Sequence, residues 1–77
     1  MKIKIYAVLK EYFEPEIDLE GISLNITELK SVLLAINPSA KEILNLSRFA
    51  VNDVFVNKDH QISNEETISI IPPSSGG

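Results

Sequence analysis

Two of the chain's three glycines, Gly76 and Gly77, stand at its last two positions, behind Pro72-Pro73-Ser74-Ser75. Read as a free end, this segment offers one reactive group, the α-carboxylate of Gly77. An α-carboxyl ionises at about pH 3.5, so it is charged at neutral pH and is a poor electrophile. ATP can activate it as an acyl-adenylate with a good leaving group. A sulfur donor can then displace the adenylate and leave a C-terminal thiocarboxylate. The preceding residues suit delivery of that group into a partner. Each proline fixes φ and favours extended backbone. The serines are small, and glycine has no side chain and tolerates either sign of φ. The segment therefore narrows from stiff to slim, a shape that threads a channel. Composition alone fits an inert flexible tail or an appended linker equally well.

No other residue set carries comparable chemistry. His60 is the single histidine. A nucleophile needs a base held beside it, and nothing in the spacing fixes Ser63 or Ser74 to His60, which reads as a loop anchor. Glu65-Glu66 reads as a solvated turn. There is no cysteine, so a disulfide framework, cysteine-ligated metal and a side-chain persulfide are excluded. Metal-ligand spacing and a glycine-rich phosphate loop are missing too. A self-contained enzyme is not expected, nor a bound metal or permanent cofactor.

Charge and size narrow the partners. Seven basic against eleven acidic residues give a net charge of −4, which opposes binding to nucleic acid phosphates. No apolar run approaches the roughly 20 residues of a membrane span, and the start reads as a strand rather than a signal peptide. Neither nucleic acid nor membrane is expected as a partner, and the cytoplasm is the expected location. Seventy-seven residues make one domain that buries only about 60–65 % of its unfolded surface. Any chemistry is expected against a partner rather than in a private cleft.

The elements that must present the tail follow from periodicity. Met1 to Leu9 opens as a strand, with Ile3, Ile5 and Ala7 on one face and Lys2, Lys4, Tyr6 and Val8 on the other. Lys10 to Phe13 reads as a helical turn stopped by Pro15. A second strand, clearest at Ile17-Asp18-Leu19, forms a hairpin with the first, with a bend at Gly21. Asn25 to Ile36 is the main helix, with Leu29, Val32, Leu33 and Ile36 in one stripe. Asn25 caps it with Glu28 as the acid three residues on, Leu24 staples onto Leu29, and Asn37-Pro38 stops it. Ser39 and Glu42 repeat the cap spacing for a short second helix through about Leu46. Arg48 to Val56 reads as two strands broken at Asn52-Asp53. Residues 57–66 form a loop anchored by Ile62. Thr67 to Ile71 is the last strand, and Pro72-Pro73 ends its pairing. The order β-β-α-β-β is that of a two-layer α+β domain over residues 1–71, with residues 72–77 as an extended flexible tail. Tyr6, Phe55 and Ile71 fall on the side away from the core, and with the first and last strands adjacent they form an apolar patch of the kind that marks protein contact.

The stretch RFAVNDVFVNKDHQISNEETISIIPPSSGG resembles the small subunit of molybdopterin synthase, a ubiquitin-like β-grasp sulfur carrier. Ala50-Val51-Asn52, Asp59-His60, Glu65-Glu66 and Pro72 to Gly77 match that family's pattern, and the first strand and capped helix extend the resemblance over the chain. It implies a mixed sheet with the main helix on one face. It also implies that an E1-like adenylating enzyme activates Gly77 with ATP and that a sulfurtransferase supplies sulfur. The tail then enters the large synthase subunit to build the dithiolene of a pterin. Tyr6, Phe55, Ile71, Pro72, Pro73, Ser74, Ser75 and Gly76 would contact these partners. Two departures stand out. Ser74 replaces the commoner Val or Ile, and the turn Ser63 to Glu66 lacks the usual glycine, so Asn64 is expected in the left-handed conformation. A sulfur carrier of the thiamine or another sulfur pathway is the nearest alternative, although such tails usually lack Pro-Pro. A ubiquitin-like modifier joined to lysine amines and an inert interaction module remain beyond it.

Overall fold

The computed structural model describes residues 1–20 and 23–73. The bend expected at Gly21, and the Ser74, Ser75, Gly76 and Gly77 expectations with the flexibility of that tail, lie outside the described residues. In chain order the elements are β1 (Lys2–Ile5), a 3-10 turn (Ala7–Glu11), β2 (Glu16–Asp18), β3 (Leu24–Asn25), α1 (Ile26–Ile36), a second 3-10 turn (Pro38–Ala40), α2 (Lys41–Leu46), β4 (Arg48–Val51), β5 (Val54–Val56), β6 (Gln61–Ile62) and β7 (Thr67–Ile71).

Among the described residues the main sheet has the order β2-β1-β7-β4-β5. β1 runs parallel to β7, with Ile3 opposite Ile68 and Ile5 opposite Ile70. The other pairings in that sheet are antiparallel. Period-two alternation then decides which side is buried. Ile3, Ile5, Phe49, Val51, Ile68 and Ile70 all turn to one face and are buried. On them lies α1 through Ile26, Leu29 and Leu33, with Leu9, Phe13 and Leu44 closing the ends of the same core. Each such side chain, fully removed from water, contributes about 1.5–3 kcal/mol. This is a mixed sheet with a helix packed on one face, the ubiquitin-like β-grasp arrangement.

Local chemistry explains the boundaries. The start of α1 is a capping box: Glu28 N donates to Asn25 Oδ1 at 2.8 Å, and Asn25 N donates to Glu28 Oε1 at 2.9 Å. Its buried stripe begins at Ile26 rather than ending at Ile36, which is 55 % exposed. The expected cap at Ser39 gives way to Asn37. Asn37 Oδ1 accepts from Ser39 N at 3.1 Å while its Nδ2 donates to Tyr12 O at 3.0 Å. One amide thus serves a turn and a tertiary contact, and α2 begins at Lys41, with Ala40 before it offering no side-chain cap.

β1 stops at Ile5, short of the expected Leu9, because Ala7 takes φ of 52° and turns the chain. The helical turn therefore starts at Ala7 rather than Lys10, and it drops Leu9 into the core. Asn52 and Asp53, with φ of 51° and 67°, form the two-residue connection between β4 and β5, the geometry that matches strand twist. The loop expected over 57–66 contains β6, which pairs with β3 and buries Ile62 completely. The turn Ser63 to Glu66 needs no left-handed residue. Glu66 N donates to Ser63 O at 3.1 Å, Ser63 N donates to Glu66 Oε1 at 2.7 Å, and Asn64 keeps negative φ.

Candidate functional site

The face of the sheet opposite α1 carries the side chains left over by the alternation. Across it, Lys4 stands opposite Ser69 on β7, Ser69 opposite Ala50 on β4, and Ala50 opposite Phe55 on β5. One row further along, Arg48 stands opposite Ile71. Tyr6, extended just past the end of β1, continues the row beside Ile71. The three apolar residues expected at an interface are thus brought together. Tyr6, Phe55 and Ile71, at 43 %, 48 % and 37 % exposure, line a shallow groove of about 340 Å³ with Ala50, Asp53 and Ser69.

Two features of this face were not expected from the sequence. Arg48 lays its guanidinium over the Phe55 ring, 3.6 Å from the centroid. An exposed cation–π contact contributes about 0.5–1 kcal/mol and holds both side chains in place. Ala50 is buried although it points to the outer side, because the larger groove residues cover it. The alternation of Arg48-Phe49-Ala50-Val51 contained the signal: once Phe49 and Val51 face the core, Arg48 and Ala50 must face outward.

The groove sits on the strand that leads to the tail. β7 ends at Ile71, and Pro72 follows directly. Pro72 is buried and Pro73 exposed. Pro72, expected as a partner contact, is therefore packed against its own domain, and Pro73 is the first residue of the segment open to a partner. A ring that is both packed and fixed in φ sets the direction in which the chain leaves the sheet.

His60 takes the anchoring place expected of it. Its backbone N donates to Asn57 O at 3.1 Å, and its Nε2 is buried without a hydrogen-bond partner, so that atom engages no Ser63 hydroxyl. Among the described residues no cluster of His, Asp and Glu is placed to hold a metal ion, and no helix is long and apolar enough to cross a membrane. The one ion pair among them, Lys2 Nζ to Glu16 Oε1 at 3.6 Å, is on the surface at the β1–β2 edge.

No curated protein matches the sequence. Among solved structures, the chain is similar to small archaeal modifier protein 1 from Methanosarcina acetivorans, with a TM-score of 0.82 and 21 % identity, covering 99 % of this chain and 94 % of that one. SAMP1 from Haloferax volcanii gives 0.75 at 16 % identity, with 99 % and 97 % covered. A chain of the complex of subunits 1 and 2 of molybdopterin-converting factor from Helicobacter pylori gives 0.71 at 23 % identity, with 99 % and 96 % covered. These likenesses establish the ubiquitin-like β-grasp fold. The sequence itself matches the ThiS family over residues 3–77, and the chain belongs to that family.

Proposed function

We propose that the chain is the sulfur carrier subunit of a molybdopterin synthase, with the Gly77 carboxylate as its reacting group. An E1-like enzyme would join that carboxylate to AMP from ATP, releasing pyrophosphate. The terminal sulfur of a sulfurtransferase persulfide would then attack the acyl carbon and release AMP, and a thiol would cleave the resulting acyl disulfide, leaving an ordinary disulfide and the thiocarboxylate. That group would pass its sulfur to a pterin precursor inside the large subunit. The observation that carries this reading is the continuity of site and tail. The apolar groove of Tyr6, Phe55 and Ile71 lies on and beside β7, the strand that runs into Pro72-Pro73-Ser74-Ser75-Gly76-Gly77. Docking at the groove holds the body of the carrier while the narrow segment enters the partner. Pro73, Ser74, Ser75 and Gly76 are the contacts inside the channel.

The complex of two molybdopterin-converting factor subunits in a structural relative supports a large-subunit partner. The likeness to small archaeal modifier proteins favours a second reading, in which activated Gly77 is joined to lysine amines.

Intact mass spectrometry separates the two. After incubation with the cognate activating enzyme, ATP and a sulfur source, the carrier is expected to gain the mass difference between sulfur and oxygen. A variant lacking Gly77, or one extended beyond it, gains nothing. An unchanged mass with active partner enzymes removes the carrier reading, whereas covalent adducts to other proteins establish the modifier.

A further inference from the structure

Beside the groove, on the far side of Phe55, lies a second cleft. It occupies about 240 Å³ between the β4–β5 edge of the sheet and the start of α1, and Lys30, Arg48, Lys58, Ser47 and Phe55 are among its walls. Three of the chain's seven basic residues converge here, and none of its eleven acidic residues lines the cleft. The scaffold places the backbone of all three residues and stacks the side chain of one. Arg48 is stacked on Phe55. Lys58 is tied to the first turn of α1, because Thr27 N donates to its carbonyl at 3.2 Å. Lys30 stands one turn further along the same helix. Among the described residues none of the three has a carboxylate within ion-pair distance, the one such pair being Lys2–Glu16.

From this placement we infer that the cleft is the docking point for an acidic segment of the partner that occupies the groove. The inference rests on the carrier reading and adds the chemistry of the partner's surface. Arg48 stands opposite Ile71 in register, so the cleft lies at the end of the sheet where the tail leaves. A partner covering Ile71 and Phe55 also covers Arg48. A guanidinium taken out of water without an anion is strongly unfavourable, and a partner carboxylate removes that penalty. The rest of the carrier is acidic, so a partner with a local acidic strip beside an apolar one is attracted in a single orientation. The open, exposed cleft offers no buried donor to retain a small anion. One face of Phe55 is already taken by Arg48.

The test is an amide NMR titration of the full chain with a synthetic peptide carrying glutamates beside leucines. Inorganic phosphate at matched ionic strength is run in parallel. Peptide-dependent shifts are expected at Lys30, Arg48, Phe55 and Lys58, fading as salt is raised. The double variant Lys30→Glu, Lys58→Glu is expected to weaken binding about tenfold or more, corresponding to 1.4 kcal/mol. Lys41→Glu, on α2, leaves binding unchanged, and the spectra themselves report whether each variant is folded. Shifts spread over all lysines, no shifts at the highest soluble peptide concentration, or an unaffected double variant would overturn the inference. Equal shifts with phosphate would replace it with a small-anion site. None of these outcomes bears on the mass change at Gly77, so the two proposals fail separately.

Discussion

Ala7 is the residue whose conformation its sequence least announces. A left-handed φ of 52° puts its Cβ against the following carbonyl, at a cost of about 1–2 kcal/mol. The surroundings impose it. Tyr6 must stay extended on the outer face while Leu9, three residues on, is fully buried. Replacing Ala7 with glycine removes the clash and loosens the unfolded chain by about 0.4–1 kcal/mol. The expected net effect of Ala7→Gly is a stabilisation of about 0.5–1 kcal/mol, read from the urea midpoint at unchanged m-value. A loss of about 1 kcal/mol, the ordinary result of glycine in a helix, would show that the site is unstrained. Asn52 and Asp53 make the contrast. Both are residue types that tolerate positive φ, and there the turn was legible.

At the level of elements, α1 was legible because all its signals are local. The cap, the acid three residues on and the Asn-Pro stop lie within the segment they delimit. Asn25→Ala leaves donors of the first turn without a partner and is expected to cost about 1 kcal/mol. Chemical denaturation measures it, and a change within error would mean that water replaces the cap. The second cap was misread for the same reason in reverse. Ser39 and Asn37 both satisfy a capping pattern, and the choice was made by the hydrogen bond from Asn37 to Tyr12 O, a contact across 25 positions of sequence. Asn64 was misread by analogy with a glycine-containing turn. The Glu66 side chain closes the turn without any left-handed residue.

For the whole molecule, one core serves the sheet, both helices and the turns. A chain of this length has a total stability of about 4–12 kcal/mol at 0.05–0.15 kcal/mol per residue. Truncating a fully buried aliphatic side chain costs about 2–5 kcal/mol. Ile68→Ala, on the buried face of β7, is therefore expected to bring the domain to the edge of unfolding in thermal melts. Leu46→Ala, on the exposed surface, stays within about 0.5 kcal/mol. Equal effects of the two would contradict the assigned core. The same substitution at Ile68 should also disturb Ser69 and Ile71, because strand and groove share one backbone.

The sequence by itself determined most strands of the main sheet, the capped helix and the two faces of the sheet, and it pointed to the Gly77 carboxylate as the group to test. These depend on periodicity, side-chain size and end-group chemistry, which are properties of neighbours in the chain. Tertiary structure decided that Tyr6, Phe55 and Ile71 meet, that Pro72 belongs to the body, and that Arg48 stacks on Phe55. It also decided that Lys30, Arg48 and Lys58 share a cleft free of carboxylates. Those facts depend on β7 lying between β1 and β4. Strand order is set by the long-range closure of the core, and no local pattern encodes it.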